Sequence, residues 1–170
     1  MARTALKALS RKQATYIEIA RTFKVLKRQR SDRAVAILAS ALVEDALEGA
    51  ILASLSPLSK EDRASLFEGD GPLSTFSAKI RVGFALSIFG AITRADLNCM
   101  RDVRNAFAHA RVSLKFTTHE VTVACKSFMR ARFAKKASAR FRYLETAEQI
   151  THDFLGAALE SKQPTPASLP

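Results

Sequence analysis

Arg101, Arg104, Asn105 and His109 fall within about two turns of one predicted helix, Thr93 to Ala110. Thr93 is placed to cap its start, and Asp96 three residues on completes a capping-box pattern. At about 100° per residue, Cys99, Met100, Val103, Ala106, Phe107 and Ala110 share one side. Arg101, Arg104, Asn105, Ala108 and His109 share the other. Two chemistries suit that polar side. An imidazole that titrates near neutrality can take a proton from a hydroxyl, and a guanidinium can hold a phosphoryl group with two parallel donors. Alternatively, Arg101 or Arg104 pairs with Glu44 and Glu48, which lie four residues apart on an earlier helix. Asn105, His109 and Lys79 would be further members of that structural network.

Other constellations carry less. Glu44 and Glu48 resemble an acid pair, but no third or fourth oxygen ligand sits at useful spacing, so no metal is expected. His119 and His152 are isolated from any Cys or second His at zinc-ligand spacing. Ser74 and Ser77 read as a cap and a helix surface, not as nucleophiles. The Glu68-Gly-Asp-Gly-Pro-Leu stretch follows no strand and lacks the Gly-Lys-Ser/Thr of a phosphate loop. Cys99 and Cys125 read as buried free thiols of a reducing cytosol. No cofactor is expected.

The 170-residue chain suits one domain with a core of its own, and it carries a net charge of +11. Residues 1–33 hold ten Lys/Arg against two acids and residues 111–143 hold nine against one, so the basicity is concentrated in two blocks. That distribution favours an anionic partner, either nucleic acid or an acidic protein. No apolar run is long enough to span a membrane, and no signal-peptide pattern opens the chain, so a cytoplasmic protein is expected.

The elements that would position these residues are helical. Residues 3–30 read as a basic helix with Leu6, Leu9, Ala14, Ile17, Ile19, Ala20, Phe23 and Leu26 on a loose apolar side. Its cations Arg21, Lys24, Lys27, Arg28 and Arg30 are candidate nucleic-acid contacts, although no Gly-containing turn leads into a helix-turn-helix. Ser31 caps a helix to about Ser54, apolar on most sides and therefore central. Pro57 ends it and a short helix, Ser59–Phe67, follows. Gly69 and Gly71 are expected at positive φ. Ser74 or Thr75 caps a helix through Phe89, closed by Gly90. Residues 112–117 alternate like a short strand, although Thr118 equally suits the start of a helix through Phe128. Arg130–Arg140 is a basic connector in which Arg130, Arg132, Lys135 and Lys136 are candidate nucleic-acid contacts. Phe141 to about Ser161 is a last amphipathic helix, and Gln163–Pro170 a disordered Pro-rich tail. The sum is an all-α, single-domain helical bundle of six or seven helices. It divides into a basic extension (1–30), a helical domain (31–162) and the tail.

Three segments resemble the mannitol operon repressor family: Asp32 to Glu48, Gly69 to Leu86, and Leu97 to Ala110 with its Arg-Asn-x-Phe-Ala-His core. They stand in the family's order across roughly residues 31–160. The chain differs from the family pattern in its longer basic N-terminal extension and its more basic 111–143 region. The resemblance implies an all-helical transcription regulator, a homodimer, and a regulatory partner such as a phosphotransferase-system component. The same core is similar to the HEPN superfamily of helical bundles. There, resemblance implies metal-independent RNA cleavage by Arg104, Asn105 and His109. The expectation is therefore a non-catalytic regulator acting mainly through protein contacts, with nucleic-acid binding by the basic segments. The alternative is an endoribonuclease.

Overall fold

A computed structural model describes residues 14–131 and 136–160. The basic stretch 3–13, Arg132, Lys135 and the tail 163–170 lie outside the described residues. Among the described residues there are seven helices and no strand: α1 Tyr16–Arg28, α2 Asp32–Ser54, α3 Lys60–Phe67, α4 Phe76–Ala85, α5 Ala91–His109, α6 His119–Lys126 and α7 Ala139–Glu160. This is the expected all-α bundle. No helix is long and apolar enough to cross a membrane.

The central element is α2, which packs against α7, α5, α4 and α1. Ser31 caps it, accepting from the Ala34 amide at 3.2 Å. Ala36, Ala39, Ala46 and Ala50 are buried along it, and side chains this small let neighbouring helices approach closely. Val35, Val43, Leu47 and Ile51 fill the spaces between, meeting Leu97, Met100, Val103 and Phe107 of α5 in one core. Burying a side chain such as Phe107 contributes about 2–3 kcal/mol. Tyr143 of α7 is fully buried. Its hydroxyl lies 2.5 Å from Ser40 Oγ and donates to the Ala36 carbonyl at 2.9 Å, so its one polar atom is satisfied inside the core. Helix α1 opens with a Thr15–Glu18 capping box and buries Ile19, Phe23 and Leu26 in the same core.

Four local expectations are corrected. Gly69 has φ +57°, but Gly71 does not take positive φ. It is glycine because a Cβ there would stand 2.5 Å from the Ser65 carbonyl oxygen. Thr75 caps α4 as expected, yet the helix stops at Ala85, well before Phe89. Ser87 takes φ +57° while its amide donates to Phe84 and the Ile88 amide to Gly83, a Schellman ending built on a non-glycine. Gly90 then precedes α5 as its N-cap and does not close α4. Removing the Cβ penalty with Ser87→Gly should raise stability by about 1 kcal/mol. A rise of about 3 °C in Tm would register it.

The third correction concerns the start of α5. It begins at Ala91 with no side-chain cap, so Thr93 and Asp96 lie inside the helix and are buried. Asp96 instead accepts from the Met129 and Arg130 amides, at 2.8 and 3.2 Å, and Thr93 Oγ1 accepts from Arg130 Nη2 at 2.7 Å. A Thr-x-x-Asp spacing that looks like a cap serves a loop thirty-odd residues away. Finally, residues 112–117 form an open loop, tied down where the Phe116 amide donates to Asp32 Oδ2 at 2.9 Å. The helix that follows, α6, ends at Lys126, before Phe128.

Candidate binding site

The polar side of α5 is satisfied largely by its own neighbours. Arg101 reaches Asp102 Oδ1 at 2.8 Å, Asn98 Oδ1 at 3.1 Å and Ser77 Oγ at 3.4 Å. Arg104 Nη1 donates to Asn105 Oδ1 at 3.0 Å. His109 is exposed in the last turn, and its ring makes no hydrogen bond among the described residues. The expected pairing of these arginines with Glu44 and Glu48 does not form. A row of like cations on one helix face is legible in sequence, but which carboxylates lie opposite depends on how the helices cross.

Glu44 and Glu48 meet Lys79 of α4 instead. Its ammonium is 3.0 Å from Glu44 Oε1 and 3.0 Å from Glu48 Oε2, and Arg63 of α3 adds a 3.1 Å contact to Glu48. Lys79 therefore keeps its expected place in the network while Arg101, Arg104, Asn105 and His109 leave it. Burial pushes the Lys79 amine down, but Coulombic attraction and hydrogen bonding from Glu44 and Glu48 outweigh it and the net shift is upward. Asp45, next to this cluster, has its carboxyl raised to about 6 by burial and by the charges of Glu44 and Glu48, against the pull of Lys79. Asp45 stands on the exposed outer stripe of α2, where solvent softens the burial and the charge contributions alike. This cluster joins α2, α3 and α4. Among the described residues, no group of His, Cys, Asp and Glu is arranged to hold a metal ion.

The thiols lack the features of reactive ones. Cys99 donates to the Ala124 carbonyl at 3.2 Å, and burial pushes the Cys125 thiol up to about 12.

The basic residues divide into tied and free. Lys27 pairs with Glu148 at 2.6 Å, and Arg130 is drawn inward to Asp153 at 2.5 Å and to Thr93. Arg130 is therefore a strut between α5 and α7, not the open phosphate contact expected of it. Arg21, Lys24, Arg28, Arg30 and Lys136 are exposed and form no ion pair among the described residues. Sequence reasoning passed over Arg33, Arg111 and Lys115. All three lie in the two basic blocks, but nothing local distinguishes them, and they meet only because α2 starts beside the loop that follows α5.

No protein-family profile matches this chain, and no curated protein matches it. A solved structure does. The chain is similar to one in the X-ray structure of the MtlR–HPr complex from Escherichia coli, with a TM-score of 0.64 and 16% sequence identity. The match covers 81% of this chain and 98% of that one. At that identity the likeness shows the fold: the arrangement of helices around α2 recurs over almost the whole of the other chain.

Proposed function

We propose that this chain is a non-catalytic, regulator-type helical module of the mannitol-repressor kind, acting mainly by binding a protein partner. The observation that carries the reading is the shared fold with a chain solved in complex with HPr. The partner class it suggests is a phosphotransferase-system phosphocarrier. Further support comes from the polar side of α5, where Arg101 and Arg104 are engaged by their own helix and by Ser77. Titrating the chain with a purified phosphocarrier should give saturable binding with one partner per chain. No heat or anisotropy change at high micromolar concentrations would count against it.

The endoribonuclease reading retains one observation in its favour. Arg104 has no carboxylate partner among the described residues and His109 is exposed five residues on. Structured and single-stranded RNA incubated with the protein in EDTA decides between the two. Cleavage that disappears in His109→Ala favours the enzyme, whereas intact RNA with both proteins retires it.

A further inference from the structure

An open groove of about 970 Å³ runs between the first turn of α2 and the loop that follows α5. Arg30 and Arg33 stand on one wall, and Arg111 and Lys115 on the other. The Arg30, Arg111 and Lys115 side chains are exposed and make neither an ion pair nor a hydrogen bond among the described residues. The one acid in the groove, Asp32, is already occupied: Oδ2 accepts from the Phe116 amide and Oδ1 from Arg140 Nη1, each at 2.9 Å. Arg140 also donates to the carbonyls of Leu26 and Gln29, holding the end of α1 against the same corner.

The groove is also fixed in shape. Arg33 Nη2 donates to the Ala110 carbonyl at 2.6 Å, and Phe116 is tied to Asp32, so the loop carrying Arg111 and Lys115 is pinned at both ends. Four cations on two facing walls, with their only carboxylate neutralised, focus a positive field into the space between them. The exposed Arg21, Lys24 and Arg28 of α1 lie in the segment leading into Arg30 and extend the basic character beyond the groove.

We propose that this groove binds the phosphodiester backbone of a nucleic-acid strand. Backbone phosphates need charge and N–H donors, which the walls supply. A protein ligand would be expected to seat an aromatic or aliphatic anchor in a buried pocket. Here the apolar lining is Val112, 72% exposed, and the half-buried Leu114, with Ala110 beside them. No aromatic ring lines the groove to stack on bases, so binding is indifferent to sequence and strongly salt-dependent. The proposal rests on the groove alone and stands whichever reading of the α5 face holds.

The test is fluorescence anisotropy of the full chain with labelled, mixed-sequence single-stranded RNA and DNA and a duplex, each longer than about 16 nucleotides. Salt is varied between about 50 and 200 mM. Arg111→Ala/Lys115→Ala should weaken binding at least tenfold at the lower salt. It should also flatten the plot of log affinity against log salt by about 1.4 for single strands, about 0.7 per lost phosphate contact. Lys60→Ala/Arg81→Ala, which removes two exposed cations elsewhere, should change affinity less than twofold, with the same circular dichroism in all three proteins. Equal weakening in both variants overturns the proposal in favour of diffuse charge. If the unsubstituted chain ignores every oligonucleotide but binds polyglutamate through Arg111 and Lys115, the groove takes an acidic protein and the proposal is overturned. Phosphocarrier binding, measured separately on the same variants, keeps a failure here distinct from a failure of the partner assignment.

Discussion

Lys79→Met destabilises the fold by about 3 kcal/mol at pH 7, read as a lower denaturation midpoint. The Lys79 side chain is 6% exposed and those of Glu44 and Glu48 are 19% exposed, so water cannot take over the role of the ammonium once it is gone. Methionine fills a similar volume, which keeps the loss electrostatic and not a cavity effect. The sign with pH follows from the shifts. The Lys79 amine is raised above its ordinary 10.5. Its contribution is therefore complete below that value and fades as pH climbs through the higher folded value. Removing it leaves Asp45, already raised to about 6, and the two glutamates without their shared counter-charge. Carboxyls raised in the folded state bind protons there first, so folding is favoured as pH falls. The deficit of the variant should accordingly shrink between pH 7 and pH 5. Adding Glu44→Gln and Glu48→Gln should recover most of the lost stability. If the triple variant is no better than Lys79→Met, loss of packing and not uncompensated charge explains the effect.

Asp96→Ala should cost a similar amount, about 3 kcal/mol, for a different reason. Asp96 is 1% exposed, and its two oxygens satisfy the Met129 and Arg130 amides. Alanine leaves both donors without a partner, at roughly 1–3 kcal/mol for a fully buried group and less for these partly buried ones. The milder Asp96→Asn keeps one acceptor oxygen but turns an NH₂ donor toward the other amide, so it should recover only part of the loss. Because Arg130 also bridges Thr93 and Asp153, the damage should concentrate where α6 leads back to α7. Amide exchange at Met129 and Arg130 should accelerate before exchange in α2 does. Unchanged protection at those two amides would show that the carboxylate does not hold that turn.

Much of the fold was legible because helix formation here is local. The apolar breadth of α2 marked it as central, and Ser31 and Thr75 cap where an N-cap oxygen three residues before an amide should. The misreadings share a cause. Thr93 and Asp96 have capping-box spacing but are turned inward by the loop after α6. Ser87 ends α4 through backbone bonds that its side chain does not announce. The alternation of residues 112–117 suggested a strand, and an exposed loop alternates just as well when one side is anchored by Phe116.

What the sequence determined unaided was the all-helical class, most of the buried faces and the concentration of positive charge in two blocks. Hydrophobic period and capping chemistry act over three or four residues and are written into the chain directly. Only the tertiary structure decided that Lys79, not Arg101 or Arg104, lies between Glu44 and Glu48, and that Arg30 and Arg33 face Arg111 and Lys115. Electrostatic attraction depends on distance through space. Residues far apart in the chain, as Glu44 and Lys79 are, come within its reach only when helix crossings bring them together.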